Sequence, residues 1–336
     1  MSAWPTDAGR FELGDLKTQS GETIKSAFIS WKTHGRLNAA RDNVVLYPTS
    51  YSAQHPDLEW LIGPDGVLDP QQWFIVIPDM FGNGLSASPS NTPDYPFLVT
   101  AHDNVAAQRR FLQQQFGIDK LHAVYGWSMG AQQAYHWAAD FPDDVARIVV
   151  NCGSARTAVH NKIFLASLMA TLEAAPEHIG NGRFSAPPKA AIRAFGRIYA
   201  SWALSQDFYR ANLHVTALKA PDLETYYRTD WEERYARRNA ADLYAQLRTW
   251  DAGDISSLRY GGDLTAALQA IRAKVLLMPG ATDLYFRVAD NEAELPHLAQ
   301  AELCPIPSIW GHRAGNPAMN PPDAAFIKQN VRRWLA

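Results

Sequence analysis

The chain of 336 residues is predicted to be an α/β protein, with a mostly parallel, doubly wound sheet and a helical cap inserted between its late strands. Three observations carry this. Short, continuously apolar runs recur, as in Val44-Val45-Leu46-Tyr47, Trp73-Phe74-Ile75-Val76-Ile77-Pro78 and Arg147-Ile148-Val149-Val150-Asn151, the pattern of strands buried on both faces of a parallel sheet. Helical periodicity falls between them, giving the alternating order of β and α elements. The strand rhythm then stops over residues 155–269 and resumes at Lys274-Val275-Leu276-Leu277-Met278. The domain reading is therefore a core of residues 1–154 and 270–336, with a helical lid at 155–269.

In chain order, residues 11–35 are expected as antiparallel β structure turning near Gly21-Glu22, because Ala27-Phe28-Ile29-Ser30-Trp31 is rich in strand formers. A polar connection, 35–43, leads into the first buried strand. Pro48-Thr49-Ser50-Tyr51-Ser52 follows it as a loop of small polar residues. After the second buried strand, Gly82 and Gly84 suit a loop at the edge of the sheet, and a helix is expected over 103–115. The insertion should be broken at Pro187-Pro188, Pro221 and Gly261-Gly262. Residues 301–309 are expected as a last strand made irregular or peripheral by its prolines. A helix over 323–335 closes the chain.

The chemistry centres on Leu121-His122-Ala123-Val124-Tyr125-Gly126-Trp127-Ser128-Met129-Gly130. An apolar run enters Gly-x-Ser-x-Gly and leaves into a helical segment, which is the strand, sharp turn and helix of a nucleophile elbow. Ser128 is thus the candidate nucleophile. A serine hydroxyl needs a base, and the base needs an acid that holds its tautomer. In α/β hydrolases these partners follow in the order Ser, acid, His. Asp283, just beyond the Lys274 run, and His312, after Trp310-Gly311, satisfy that order. His122 and His136 flank the nucleophile and are expected to be packing or surface residues. One oxyanion amide is expected from Met129, and the other from the loop after the first buried strand, at Ser50 or Tyr51.

Composition excludes several other classes. With 47% hydrophobic and 19% charged residues the chain is globular, and a net charge of −3 supplies no basic field for nucleic acid or an anionic membrane. Cys152 and Cys304 form no disulfide framework and lack metal-ligand spacing, and no Gly-x-Gly-x-x-Gly follows a strand, so neither metal nor cofactor is expected. Met1 to Asp7 has no basic, apolar leader and no run suits a bilayer span, so the expectation is a cytoplasmic protein.

The sequence resembles the homoserine O-acetyltransferase family of α/β-hydrolase-fold enzymes over nearly its whole length. The matching stretches are Trp31 to Asn38, Leu61-Ile62-Gly63-Pro64 with Leu68-Asp69, Gly126 to Gln133, Arg237 to Tyr244, and Thr282-Asp283-Leu284-Tyr285. The resemblance implies an acyl-serine intermediate, ping-pong transfer from acetyl-CoA as co-substrate to a hydroxyl acceptor, Ser128, Asp283 and His312 as triad, and a homodimer. Three features depart from the family pattern. Trp127 and Ala131 flank the nucleophile where glycines are usual. Arg313 follows the histidine where an aspartate is usual, and a cation there repels an ammonium group and favours an anion. Arg197, in Gly196-Arg197-Ile198-Tyr199, falls near the family's carboxylate-binding arginine. Trp127, Arg197 and Arg313 are accordingly the candidate substrate-binding residues. The reading is a serine-dependent catalyst hydrolysing a small ester or related acyl compound. The alternative is an O-acetyltransferase with another hydroxyl acceptor, and the last is a non-catalytic binding protein on the same fold.

Overall fold

The computed structural model describes residues 4–336; of the N-terminal stretch discussed above, Met1 to Ala3 lie outside the described residues. One sheet of eight strands runs in the order β1-β2-β4-β3-β5-β6-β7-β8. Strands β1 (Thr6–Lys17) and β2 (Thr23–His34) form an antiparallel pair, and β2 is also antiparallel to β4. The others, β3 (Val44–Leu46), β4 (Phe74–Pro78), β5 (Ala123–Trp127), β6 (Arg147–Asn151), β7 (Lys274–Met278) and β8 (Ala301–Leu303), are mutually parallel. β1 begins earlier than expected because its first residues form a polar, exposed edge that hydrophobic patterning does not reveal. β8 is short: Pro305 and Pro307 offer no N–H to a ladder, and only an isolated bridge from Gly280 to Ile306 continues the pairing.

Alternate residues of the parallel strands feed two cores. Val45, Ile75, Ile77, Tyr125, Val149 and Leu276 point to the face that also receives Phe164, Phe195 and Trp250 of the insertion. Val44, Leu46, Val76, Val124, Ile148, Val150 and Leu277 point to the other, against Val105, Phe111, Ala134 and Trp137. Burying each such side chain is worth roughly 1.5–3 kcal/mol, and a slip of one residue would exchange the two sets, so register is strongly specified. The helix Ala101–Phe111 starts at a Thr100 cap that accepts from Asp103 N–H, and it runs into a wider turn, Leu112–Phe116, stopped by left-handed Gly117.

Between β6 and β7 the chain is helical, with Val159–Glu173, Lys189–Ala203 and Ala240–Asp251 as its longest helices. Lys189–Ala203 follows Pro187-Pro188 and buries Ile192, Phe195, Gly196, Tyr199, Ala200 and Ala203, one stripe at helical spacing. Hydrogen bonds tie the insertion to the core: Asp242 accepts from the Ser90 amide (2.9 Å) and hydroxyl (2.6 Å), Tyr51 donates to the Leu243 carbonyl (3.2 Å), and Thr249 donates to the Val99 carbonyl (2.6 Å). Among the described residues no helix is long and apolar enough to cross a membrane.

Candidate active site

Strand β5 delivers the chain to Ser128, which takes φ 58° and ψ −127°, a conformation that costs a non-glycine residue roughly 1–3 kcal/mol. The helix Met129–Asp140 begins at the next residue, so the reversal happens within one residue and presents the side chain at the strand's C-terminal end. Two glycines make room. A Cβ on Gly126 would lie 2.1 Å from the Gly130 carbonyl oxygen, and one on Gly130 would lie 2.7 Å from that of Pro48. The turn is held by the Ser128 amide donating to the Asn151 carbonyl (3.0 Å) and by the Ser50 hydroxyl donating to the Trp127 carbonyl (2.5 Å).

His312 comes from a short turn, Gly311–Gly315, and Asp283 from the loop after β7. His312 Nε2 lies 2.9 Å from Ser128 Oγ, and its Nδ1 lies 2.6 Å from Asp283 Oδ2. The other Asp283 oxygen accepts from the amides of Tyr285 (2.8 Å) and Phe286 (3.3 Å), so the carboxylate cannot turn away. With a carboxylate at Nδ1, that nitrogen carries the proton and Nε2 offers its lone pair to the serine. The ring is enclosed by Trp127, nearly parallel at 5.2 Å, by the edge of Tyr285 at 4.8 Å, and by Phe286 at 5.6 Å. All three polar side chains are buried. Behind them the buried Cys152 thiol has its pKa pushed well up by desolvation and then by the Asp283 charge, so it stays neutral and does not compete as a nucleophile.

Ser128 and His312 lie at a cavity of about 400 Å³. The core contributes Ser50, Tyr51 and Trp127 to its lining, and the insertion contributes Tyr199, Trp231 and Tyr235. Tyr51 and Tyr199 stack across this boundary, with ring centroids 5.7 Å apart. Burial raises the pKa of both phenols well above the ordinary value, so they act as neutral walls. The Ser50 hydroxyl is engaged with the elbow, while the amides of Ser50, Tyr51 and Met129 have no hydrogen-bond partner among the described residues.

Trp127 and Arg313 both line the cavity. The Arg313 guanidinium sits 4.8 Å from the Trp231 ring centre and 3.8 Å from Asp230. The expectation for Arg197 is corrected: it does not line the cavity, and its guanidinium is occupied by Glu232 (2.6 Å) and Glu224 (2.5 Å) on the outer side of its helix. Sequence reasoning missed Tyr199, Trp231, Tyr235, Asp230 and Arg234 as cavity residues; the abundance of Trp, Tyr and Arg in the insertion was their only signal.

A second polar cluster joins His136 and Asp140, four residues apart on one helix, to His102 of another. His102, His136 and Asp140 are buried together with potential ligand atoms within 4.8 Å of one another. His102 Nδ1 is already bonded to Asp140 at 2.6 Å, and both nitrogens of His136 lack a hydrogen-bond partner among the described residues, Nδ1 lying 4.0 Å from Asp140. Desolvation, and then His102, lower the His136 pKa well below the ordinary value, keeping the ring neutral. His122 instead packs on Trp73 at 4.3 Å, with Nε2 2.8 Å from the Leu335 carbonyl.

The sheet order, the strand-to-helix turn at Ser128 and the helical insertion after β6 define a class, and comparison with known proteins agrees. The family model described as the alpha/beta hydrolase fold matches residues 65–305, and the chain belongs to that family. Among its relatives is an ethyl acetate hydrolase of Pseudomonas veronii, 33% identical over 90% of this chain and 89% of the other. Another, 28% identical over 89% of each chain, is a homoserine O-succinyltransferase of Paraburkholderia phymatum. The solved structure of an acetylester hydrolase from Corynebacterium glutamicum superposes with a TM-score of 0.93 at 32% identity, covering 98% of this chain and 96% of that one.

Proposed function

We propose that the protein hydrolyses small esters through an acyl-serine intermediate, with Ser128 as nucleophile, His312 as base and Asp283 as its orienting acid. The observation that carries the reading is the continuous hydrogen-bonded path Ser128 Oγ, His312 Nε2, His312 Nδ1, Asp283 Oδ2, opening on a small aromatic cavity. His312 takes the Ser128 proton as Oγ attacks the ester carbonyl carbon, and gives it to the departing alkoxide as the C–O bond breaks. Water then attacks the acyl-serine, losing its proton to His312, and the carboxylic acid leaves as Ser128 is reprotonated. The Met129 amide and an amide of Ser50 or Tyr51 would hold the carbonyl oxygen while it bears negative charge. The helical insertion acts as a cap whose Tyr199, Trp231 and Tyr235 limit the acyl and leaving groups that fit.

Likeness to an ethyl acetate hydrolase and an acetylester hydrolase supports water as the acceptor. Likeness to a homoserine O-succinyltransferase keeps transfer to an alcohol as the competing fate of the same intermediate. Purified protein should release acetate and 4-nitrophenolate in equal amounts from 4-nitrophenyl acetate, and Ser128→Ala should lose at least about a thousandfold of that rate. Undiminished turnover by Ser128→Ala would remove the nucleophile. Quantitative capture of acetyl by an added alcohol, with little free acetate, would replace hydrolysis by transfer.

A further inference from the structure

The cavity carries more charge than a neutral ester requires. Arg234, Arg237, Arg238 and Arg313 line it together with only two acids, Asp57 and Asp230. Asp57 is taken by Arg238, whose Nη2 lies 2.5 Å away while its Nε donates to the Ser52 carbonyl. Asp230 does less for the others. Arg313 approaches its carboxylate only to 3.8 Å, and Arg234 donates to its backbone carbonyl (3.0 Å) instead of the carboxylate. The Arg237 side chain has no hydrogen bond or ion pair among the described residues.

The cations also act on one another. Arg234 reaches solvent at the rim yet is crowded enough that desolvation lowers its pKa, with the like charges of Arg313 and Arg237 adding to the effect. Holding three guanidiniums together with one loosely engaged acid is unfavourable for the empty cavity and becomes favourable when an anion enters. A planar guanidinium matches the two oxygens of a carboxylate, and the Arg313 guanidinium lies over the Trp231 ring, both residues lining the cavity. The supposed carboxylate-binding Arg197, by contrast, is neutralised by its own glutamates.

We infer that the cavity selects esters bearing a carboxylate, bound by Arg234 and Arg237 at the rim with Arg313 as the inner wall. This rests on the proposed ester hydrolysis and adds the class of substrate. The carboxylate can sit on the leaving-group side or on the acyl side, and two isosteric pairs separate these cases. One is 3-acetoxypropanoate against 4-acetoxybutan-2-one, and the other is ethyl hydrogen succinate against ethyl levulinate.

Binding is read by calorimetry on the Ser128→Ala protein, whose turnover is too slow to interfere. At low ionic strength the charged member of at least one pair should bind about tenfold tighter than its neutral partner, a difference on the scale of one good ionic contact. Arg234→Gln with Arg237→Gln should bring the ratio to within about twofold, and the corresponding Lys pair should retain most of it. Equal affinity within both pairs, or a preference that the Gln pair keeps, overturns the inference. Turnover of the four esters by the unsubstituted protein is a separate readout: if none is cleaved the hydrolase reading fails, and if neutral and charged esters are cleaved with equal kcat/KM only the inference fails.

Discussion

Ser128 sits at a positive φ between two glycines, and its hydroxyl meets a histidine whose other nitrogen is already committed. Each neighbour has one task. Gly126 and Gly130 admit the turn, Asp283 fixes the tautomer, and Trp127, Tyr285 and Phe286 keep the ring of His312 in one plane. Asp283→Asn tests the second task without changing volume. Its amide nitrogen, if turned to His312, would put the proton on Nε2, where it cannot accept from Ser128. At neutral pH kcat should drop by about 10³ to 10⁴, while the melting temperature changes little. A fall of less than tenfold would show that the carboxylate does not set the tautomer.

At the scale of elements, the site exists because the ends of three parallel strands meet the helical insertion. Ser128 follows β5, Asp283 lies on the loop after β7, and the loop after β3 brings the Ser50-Tyr51 segment. Polar contacts tie the insertion to the core at several points, and one of them is Asp242, buried and accepting two bonds from Ser90. Burial raises its pKa, and those two bonds oppose the rise. Asp242→Ala would leave the Ser90 amide and hydroxyl without their acceptor, at a cost of about 2 kcal/mol in unfolding free energy. Urea denaturation should show this as a lower midpoint, and an unchanged midpoint would mean that the Ser90–Asp242 bonds add nothing to stability.

At the scale of the whole molecule, buried groups far from one another in sequence make stability depend on pH in opposite directions. Glu294, accepting from the Ala155 amide, the Tyr135 hydroxyl and Asn291, has its pKa raised by desolvation to about 7. The folded state therefore keeps a proton that the unfolded chain releases near its ordinary value, so this group's contribution falls as pH rises through about 4.5 to 7. His136, beside His102 and Asp140, is shifted the other way: the unfolded chain takes up the proton first, and stability is lost as pH falls below about 6.5. Glu294→Gln removes the first dependence. Relative to the unsubstituted protein, the variant should gain about 3 kcal/mol between pH 4.5 and 7.5, measured by urea unfolding across that range. A difference that does not vary with pH would mean that Glu294 ionises normally in the folded state.

The sequence by itself determined what depends on neighbours along the chain. Continuous apolar runs marked β3 to β7, Gly126 and Gly130 marked the turn at Ser128, and the order Ser128, Asp283, His312 placed three residues on loops after strands. Local rules suffice there, because periodicity, glycine conformation and chain order are local properties. Only the tertiary structure decided which side chains share one space. It brought Tyr199, Trp231 and Arg234 to the cavity, turned Arg197 outward onto Glu224 and Glu232, and buried His102 with His136 and Asp140. Apart from the four-residue spacing of His136 and Asp140, no spacing along the chain encodes those encounters, since a helix has several faces and its packing chooses which one meets a given neighbour.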